Sequence, residues 1–120
     1  MNVGQKATVT RRFDAAQVKE YAGLAGLAKA PEHVPEPLLA GLFSYLLGVK
    51  LPGPGTNYLK QDLEFHIPAK VGDVIAAEVK ITRLRPEKSL VDLATIARDS
   101  TGRVVCDGRA LVYVADVPED

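Results

Sequence analysis

The chain has 120 residues, 47% of them hydrophobic, and its 15 basic and 15 acidic side chains cancel. That length and apolar content support one domain, residues 1–120, with a real core, and the neutral balance argues against a nucleic-acid or anionic-membrane partner. The single cysteine, Cys106, excludes an internal disulfide and fits a reducing compartment. The opening stretch from Met1 to Lys6 has no apolar signal core, so the expected location is the cytoplasm.

In chain order, residues 5–13 set Ala7, Val9, Arg11 and Phe13 against Lys6, Thr8, Thr10 and Arg12, which predicts a strand with one mainly apolar face. Asp14 and Gln17 then have the spacing of a capping box. The helix they open carries Val18, Tyr21, Ala22 and Ala25 on one stripe, and Gly23 and Gly26 weaken its far end. Residues 27–36, Leu-Ala-Lys-Ala-Pro-Glu-His-Val-Pro-Glu, form a proline-punctuated connection. It brings Glu32, His33 and Glu36 close to the start of the next helix, where free N–H groups and partial positive charge suit an anion or a polarised carbonyl. A solvated linker with ordinary surface charges is the blander reading, and the commoner one.

The stretch from Pro37 to Lys50 is apolar on every side of a helical wheel, with Lys50 its only charge. A helix without a polar face must be surrounded, so it is expected to be the buried central element. It is too short to cross a membrane, which takes about 20 apolar residues. Pro37 suits a first helical turn, and Pro52-Gly-Pro-Gly55 ends the helix abruptly. Phe43, Tyr45, Leu46 and Leu47 read most simply as core residues, and Tyr45 draws notice because its hydroxyl needs a partner if buried.

Four strand-like segments follow. In the first, Leu59, Gln61, Leu63, Phe65 and Ile67 are expected on one side and Lys60, Asp62, Glu64 and His66 on the other. His66 therefore reads as a surface or subunit-interface residue rather than a catalytic one. Val71-Gly-Asp73 makes a turn, and Ile75, Ala77, Val79 and Ile81 form the inner face of the next strand. The basic group Arg83, Arg85 and Lys88 reads as a charged hairpin turn in solvent, although these residues, with Arg103 and Arg109, are also candidates to meet phosphates. Leu90–Arg98 is apolar on both faces apart from Asp92, Thr95 and Arg98, as a central strand would be. After the Ser100-Thr-Gly102 hairpin, Val104–Val114 alternates again, with Gly108 allowing a close approach; the tail from Val117 is expected to fray. Sheet after one buried helix predicts an α+β hot-dog fold, an antiparallel sheet wrapped around that helix.

The order strand, helix, buried helix, Leu51-Pro-Gly-Pro-Gly-Thr56, then Gln61-x-Leu63-x-Phe65-x-x-Pro68-x-x-x-Gly72-Asp73 and Gly102-x-Val104-Val105-x-x-Gly108-x-Ala110-x-Val112 resembles the MaoC-like family. Its members are the (R)-specific enoyl-CoA hydratases and related 3-hydroxyacyl thioester dehydratases. The resemblance covers nearly the whole chain and is strongest from Leu46 to Val112. It implies a hot-dog that dimerises through its sheet edge, an acyl-CoA or acyl-carrier-protein thioester as ligand, no metal and no redox cofactor. The family's catalytic motif, Gly-Asp-x-Asn-Pro-x-His, is matched by Gly26-Leu-Ala-Lys-Ala-Pro31-Glu-His33. Matching on Pro31 and His33 puts Ala28 at the Asp position and Ala30 at the Asn position; matching from Gly26 puts Leu27 at the Asp position. The family's longer excursion after this His, ending in His-Gly, is replaced by Pro35-Glu36.

Hydration of an enoyl thioester needs a base for water, an acid for the α-carbon and N–H donors for the thioester oxygen. The candidates are His33 as base and Glu36 as its carboxylate partner, with Glu32 as an alternative carboxylate. Leu38 and Leu39 are candidate N–H donors, and Tyr45, Gly53, Gly55 and Thr56 are candidate substrate-binding residues. Two further functions compete. One is thioester hydrolysis, with Glu36 activating water at the helix's positive end. The other is a catalytically silent subunit that binds the acyl tail or braces an active partner in a hot-dog heterodimer.

Overall fold

The computed structural model describes residues 1–27, 32–115 and 117. The elements are β1 (Lys6–Arg12), α1 (Ala15–Leu24), α2 (Glu36–Tyr45), β2 (Asn57–Phe65), β3 (Val74–Arg85), β4 (Leu90–Arg98) and β5 (Val104–Tyr113). The strands form one antiparallel five-stranded sheet in the order β1-β3-β4-β5-β2. β4 lies at its centre, as its two apolar faces require, and β2 is an edge. With α2 laid against the inner face, this is the α+β hot-dog expected.

The capping box forms: the Gln17 N–H donates to Asp14 Oδ1 at 2.8 Å, and the Asp14 N–H donates to Gln17 Oε1 at 2.9 Å. Gly26 ends α1 rather than merely weakening it. At φ +74° it lets the Leu27 N–H reach back to the Ala22 carbonyl while its own N–H meets that of Gly23, the paired bonds of a left-handed helix stop.

α2 starts one residue before Pro37 and continues as a π-helical turn over Leu46–Lys50. Leu39, Leu42, Phe43, Leu46 and Leu47 are buried against the sheet. Contrary to the expectation from its wheel, the described residues do not surround the helix: Gly41, Ser44, Tyr45, Gly48 and Val49 face outward. Hydrophobicity without a polar face marks a helix that some surface will cover; it does not say whether that surface belongs to the same chain.

Ile75, Ala77, Val79 and Ile81 of β3 and Val91, Leu93, Thr95 and Ala97 of β4 complete the inner layer. β2 departs from the predicted alternation. Tyr58 pairs with Val112 and Lys60 with Leu111, so Leu59 is the extra residue of a β-bulge. Tyr58 thereby shares the inner face with Gln61, and Leu59 is 55% exposed. At the turn after β3, Arg85 grips Asp92 with both ends of its fork, at 2.7 and 2.8 Å, so this arginine is engaged rather than solvated. Val117 packs into the core instead of fraying, and residues 118–120 lie outside the described ones.

Candidate active site

Two cavities flank α2. The first, about 430 Å³, opens at its N-terminus and is lined by His33, Val34, Pro35, Glu36 and Leu39 on one side and Phe65 to Ala69 on the other. A single bridge fixes the wall carrying His33: that residue pairs with Lys70, and the Val34 N–H donates to the Ala69 carbonyl at 2.9 Å. Pro35, extended at φ −57° and ψ 140°, stands immediately before the helix, and Glu36 is its first residue. His33 and Glu36, three positions apart, thus come to one cavity, with buried Leu39 as its apolar floor.

Glu36 faces more than the cavity. The buried Cys106 thiol is pushed up to about 11, first by burial and then by the negative charges of Asp107 and Glu36. Both carboxylates therefore bear on the same end of β5. His66, beside Phe65 on the opposite wall, binds Asp107 through Nε2 at 2.8 Å. That hydrogen bond raises the imidazole's affinity for a proton, with weaker help from the charges of Asp107 and Glu64 and some opposition from desolvation. The alternation of β2 signalled that His66 leaves the sheet on the solvent side. It gave no sign that the strand's end forms a cavity wall, nor that a carboxylate from β5 stands beside the ring.

The other predicted residues disperse. Glu32 is exposed and does not line the cavity. The N–H groups of Leu38 and Leu39 turn to the Pro35 carbonyl, at 3.0 and 3.4 Å, rather than to an open site. Tyr45 lies outward under the Arg11 guanidinium, 5.9 Å from its ring centroid, so its hydroxyl is not the buried group expected. Gly53 and Gly55 take φ of +95° and +90° in the turn leaving the helix, conformations that a side chain would strain. Thr56 lines the second cavity, about 400 Å³, with Ser44, Leu47, Gly48, Tyr58 and Gln61. There Thr56 Oγ1 and Gln61 Nε2 are buried without partners among the described residues, and burial pushes the Tyr58 hydroxyl up to about 12. Ala28, Ala30 and Pro31, matched to the family's catalytic motif, lie outside the described residues. No described helix is long and apolar enough to cross a membrane.

No family model matches the chain. It is 40% identical to the (R)-specific enoyl-CoA hydratase of Aeromonas caviae over 126 aligned residues, 93% of this chain and 94% of that protein. The alignment thus has more positions than this chain contributes, leaving about 14 of them without a residue from it. The (R)-specific enoyl-CoA hydratase of Rhodospirillum rubrum is 35% identical, with 92% of this chain and 86% of that one covered. The solved (R)-hydratase from A. caviae involved in PHA biosynthesis superposes with a TM-score of 0.86 at 39% identity, covering 95% of this chain and 97% of that one. On sequence and on fold alike, the chain belongs to the MaoC-like hot-dog family of (R)-specific enoyl-CoA hydratases.

Proposed function

We propose that this protein adds water to a trans-2-enoyl thioester, or removes it from the 3-hydroxyacyl thioester, in the cavity at the start of α2. The observation that carries the reading is the meeting of His33 and Glu36 at one cavity beside a helix N-terminus. Its volume lies within the range of small-molecule sites, roughly 300–1,000 Å³. His33 and Glu36 are the acid–base residues of this reading. With the Leu38 and Leu39 amides engaged, the Glu36 N–H is the helix-start donor without a backbone partner among the described residues, and it polarises the thioester carbonyl. The acyl chain extends toward the cavity holding Leu47, Gly48 and Thr56. An acyl-CoA is the ligand best supported, on the strength of the relatives.

The same reading makes the protein a homodimer in the cytoplasm. β2 is an unpaired sheet edge, and Tyr58 and Leu59 on it are exposed, as are Tyr45 and Val49 on the open side of α2. A second copy would cover both surfaces. The single thiol, Cys106, suits a reducing compartment.

The test is turnover of crotonyl-CoA followed by loss of the enoyl absorbance, with thiol release recorded in parallel. Hydration that falls in both His33→Ala and Glu36→Gln supports the reading. Thiol release lost only in Glu36→Gln makes the protein a thioesterase. A folded dimer inert toward short and long enoyl-CoAs makes it a silent subunit.

A further inference from the structure

On the solvent side of the sheet, β2 and β5 set two carboxylates at facing positions: Glu64 pairs in register with Asp107. Like charges directly opposite each other repel, and no lysine or arginine pairs with either of them among the described residues. His66 comes two positions after Glu64, which returns its side chain to the same face. Its N–H prolongs the ladder by donating to the Val105 carbonyl at 2.8 Å, and its Nε2 lies 2.8 Å from Asp107 Oδ1. One ligand atom from each of the three side chains, a ring nitrogen and two carboxylate oxygens, lies within 4.8 Å of the others. A cation bound at the usual 2.0–2.2 Å would hold such atoms about 3–4 Å apart, a difference that turning the exposed Glu64 carboxylate covers.

We propose that Glu64, His66 and Asp107 bind one divalent cation of the zinc type on the outer face of the sheet, clipping β2 to β5. The imidazole nitrogen decides the class of ion, because calcium and magnesium take oxygen ligands while zinc accepts nitrogen and oxygen together. Three protein ligands leave a fourth tetrahedral position to water. The site uses neither His33 nor Glu36, so it holds whatever reaction the cavity performs. Its effect is on the fold: β5 is the one sheet partner of β2 among the described residues, and Glu64 and Asp107 weaken that pairing where they face each other. A cation between them turns the repulsion into a cross-strand bond. An ion that binds the folded chain alone also raises its stability with concentration.

The experiment titrates zinc into the untagged, chelator-treated full chain by calorimetry and follows thermal unfolding with and without the metal. The wild type is expected to bind one zinc per chain and to unfold at a higher temperature in its presence. Changes around the ligands of a metal site cost about 10–100-fold in affinity, and loss of a direct ligand in His66→Ala is expected to cost no less. Glu64→Gln keeps the strand's shape and is expected to weaken binding too, which tests the site even where His66→Ala unfolds. His33→Ala removes the other histidine and is expected to leave zinc binding unchanged. A folded wild type that takes up no zinc at millimolar concentration overturns the proposal, as does zinc affinity unaltered in both His66→Ala and Glu64→Gln. Calcium binding as tight as zinc binding also overturns it, since the imidazole would then contribute nothing.

Discussion

Gly108 of β5 and Asp62 of β2 approach so closely that a Cβ on Gly108 would occupy the place of the Asp62 carbonyl. The obstacle is backbone, and backbone of an edge strand whose other side has no partner among the described residues. Gly108→Ala is therefore expected to push β2 outward, costing on the order of 1–3 kcal/mol as overpacking does. Urea unfolding measures that cost. Unchanged stability would mean that β2 yields freely, and the cavity wall it carries would then be soft.

Phe43 of α2 is fully buried in the core cluster that the helix forms with the sheet. Phe43→Ala is expected to lose about 3–5 kcal/mol. A loss under about 1 kcal/mol in urea unfolding would show that the helix is not the organising element.

Asp99 closes the turn between β4 and β5. It accepts from the Thr101 hydroxyl at 2.7 Å, from the backbone N–H groups of Thr101 and Arg103, and from the Arg103 guanidinium. The Thr101 hydroxyl does most to hold this carboxyl below the usual range, with the backbone bonds and Arg103 adding to it and burial opposing. A lowered native pKa stabilises the fold above the unfolded carboxylate's pKa, about 3.9, and that stability is lost as pH falls through the native value. Asp99→Asn should be less stable than wild type at pH 7, and the difference should shrink as pH falls below about 4. Unfolding curves that stay parallel across that range would refute the assignment.

Cys106 is inert by the same logic that makes some thiols reactive. Burial and the neighbouring Asp107 and Glu36 charges hold it protonated up to about 11, so at pH 8 almost no thiolate exists. A disulfide reagent is expected to label it only as the protein unfolds, with a rate that rises with urea. Prompt labelling of the folded protein would show that the end of β5 is open.

Much of the site was legible as residue types and little of it as geometry. The capping box, the turn glycines, the four downstream strands and the meeting of a histidine and a carboxylate at a helix start are local matters of spacing, and the chain states them directly. Leu59 was misassigned because a bulge inserts a residue into the ladder, and nothing in alternation marks which residue it will be. Tyr45 was misread because its burial depends on which side of α2 the sheet covers.

By itself, then, the sequence determined the order of elements, the hot-dog architecture and the family, because hydrophobic period and turn chemistry act over a few residues. Only the tertiary structure decided that His66 and Asp107, 41 positions apart, share a hydrogen bond at the cavity wall. It alone decided, too, that the amides of Leu38 and Leu39 are already taken. Strand register and the path of the chain into α2 set those contacts, and both follow from packing across the whole sheet rather than from any local run of residues.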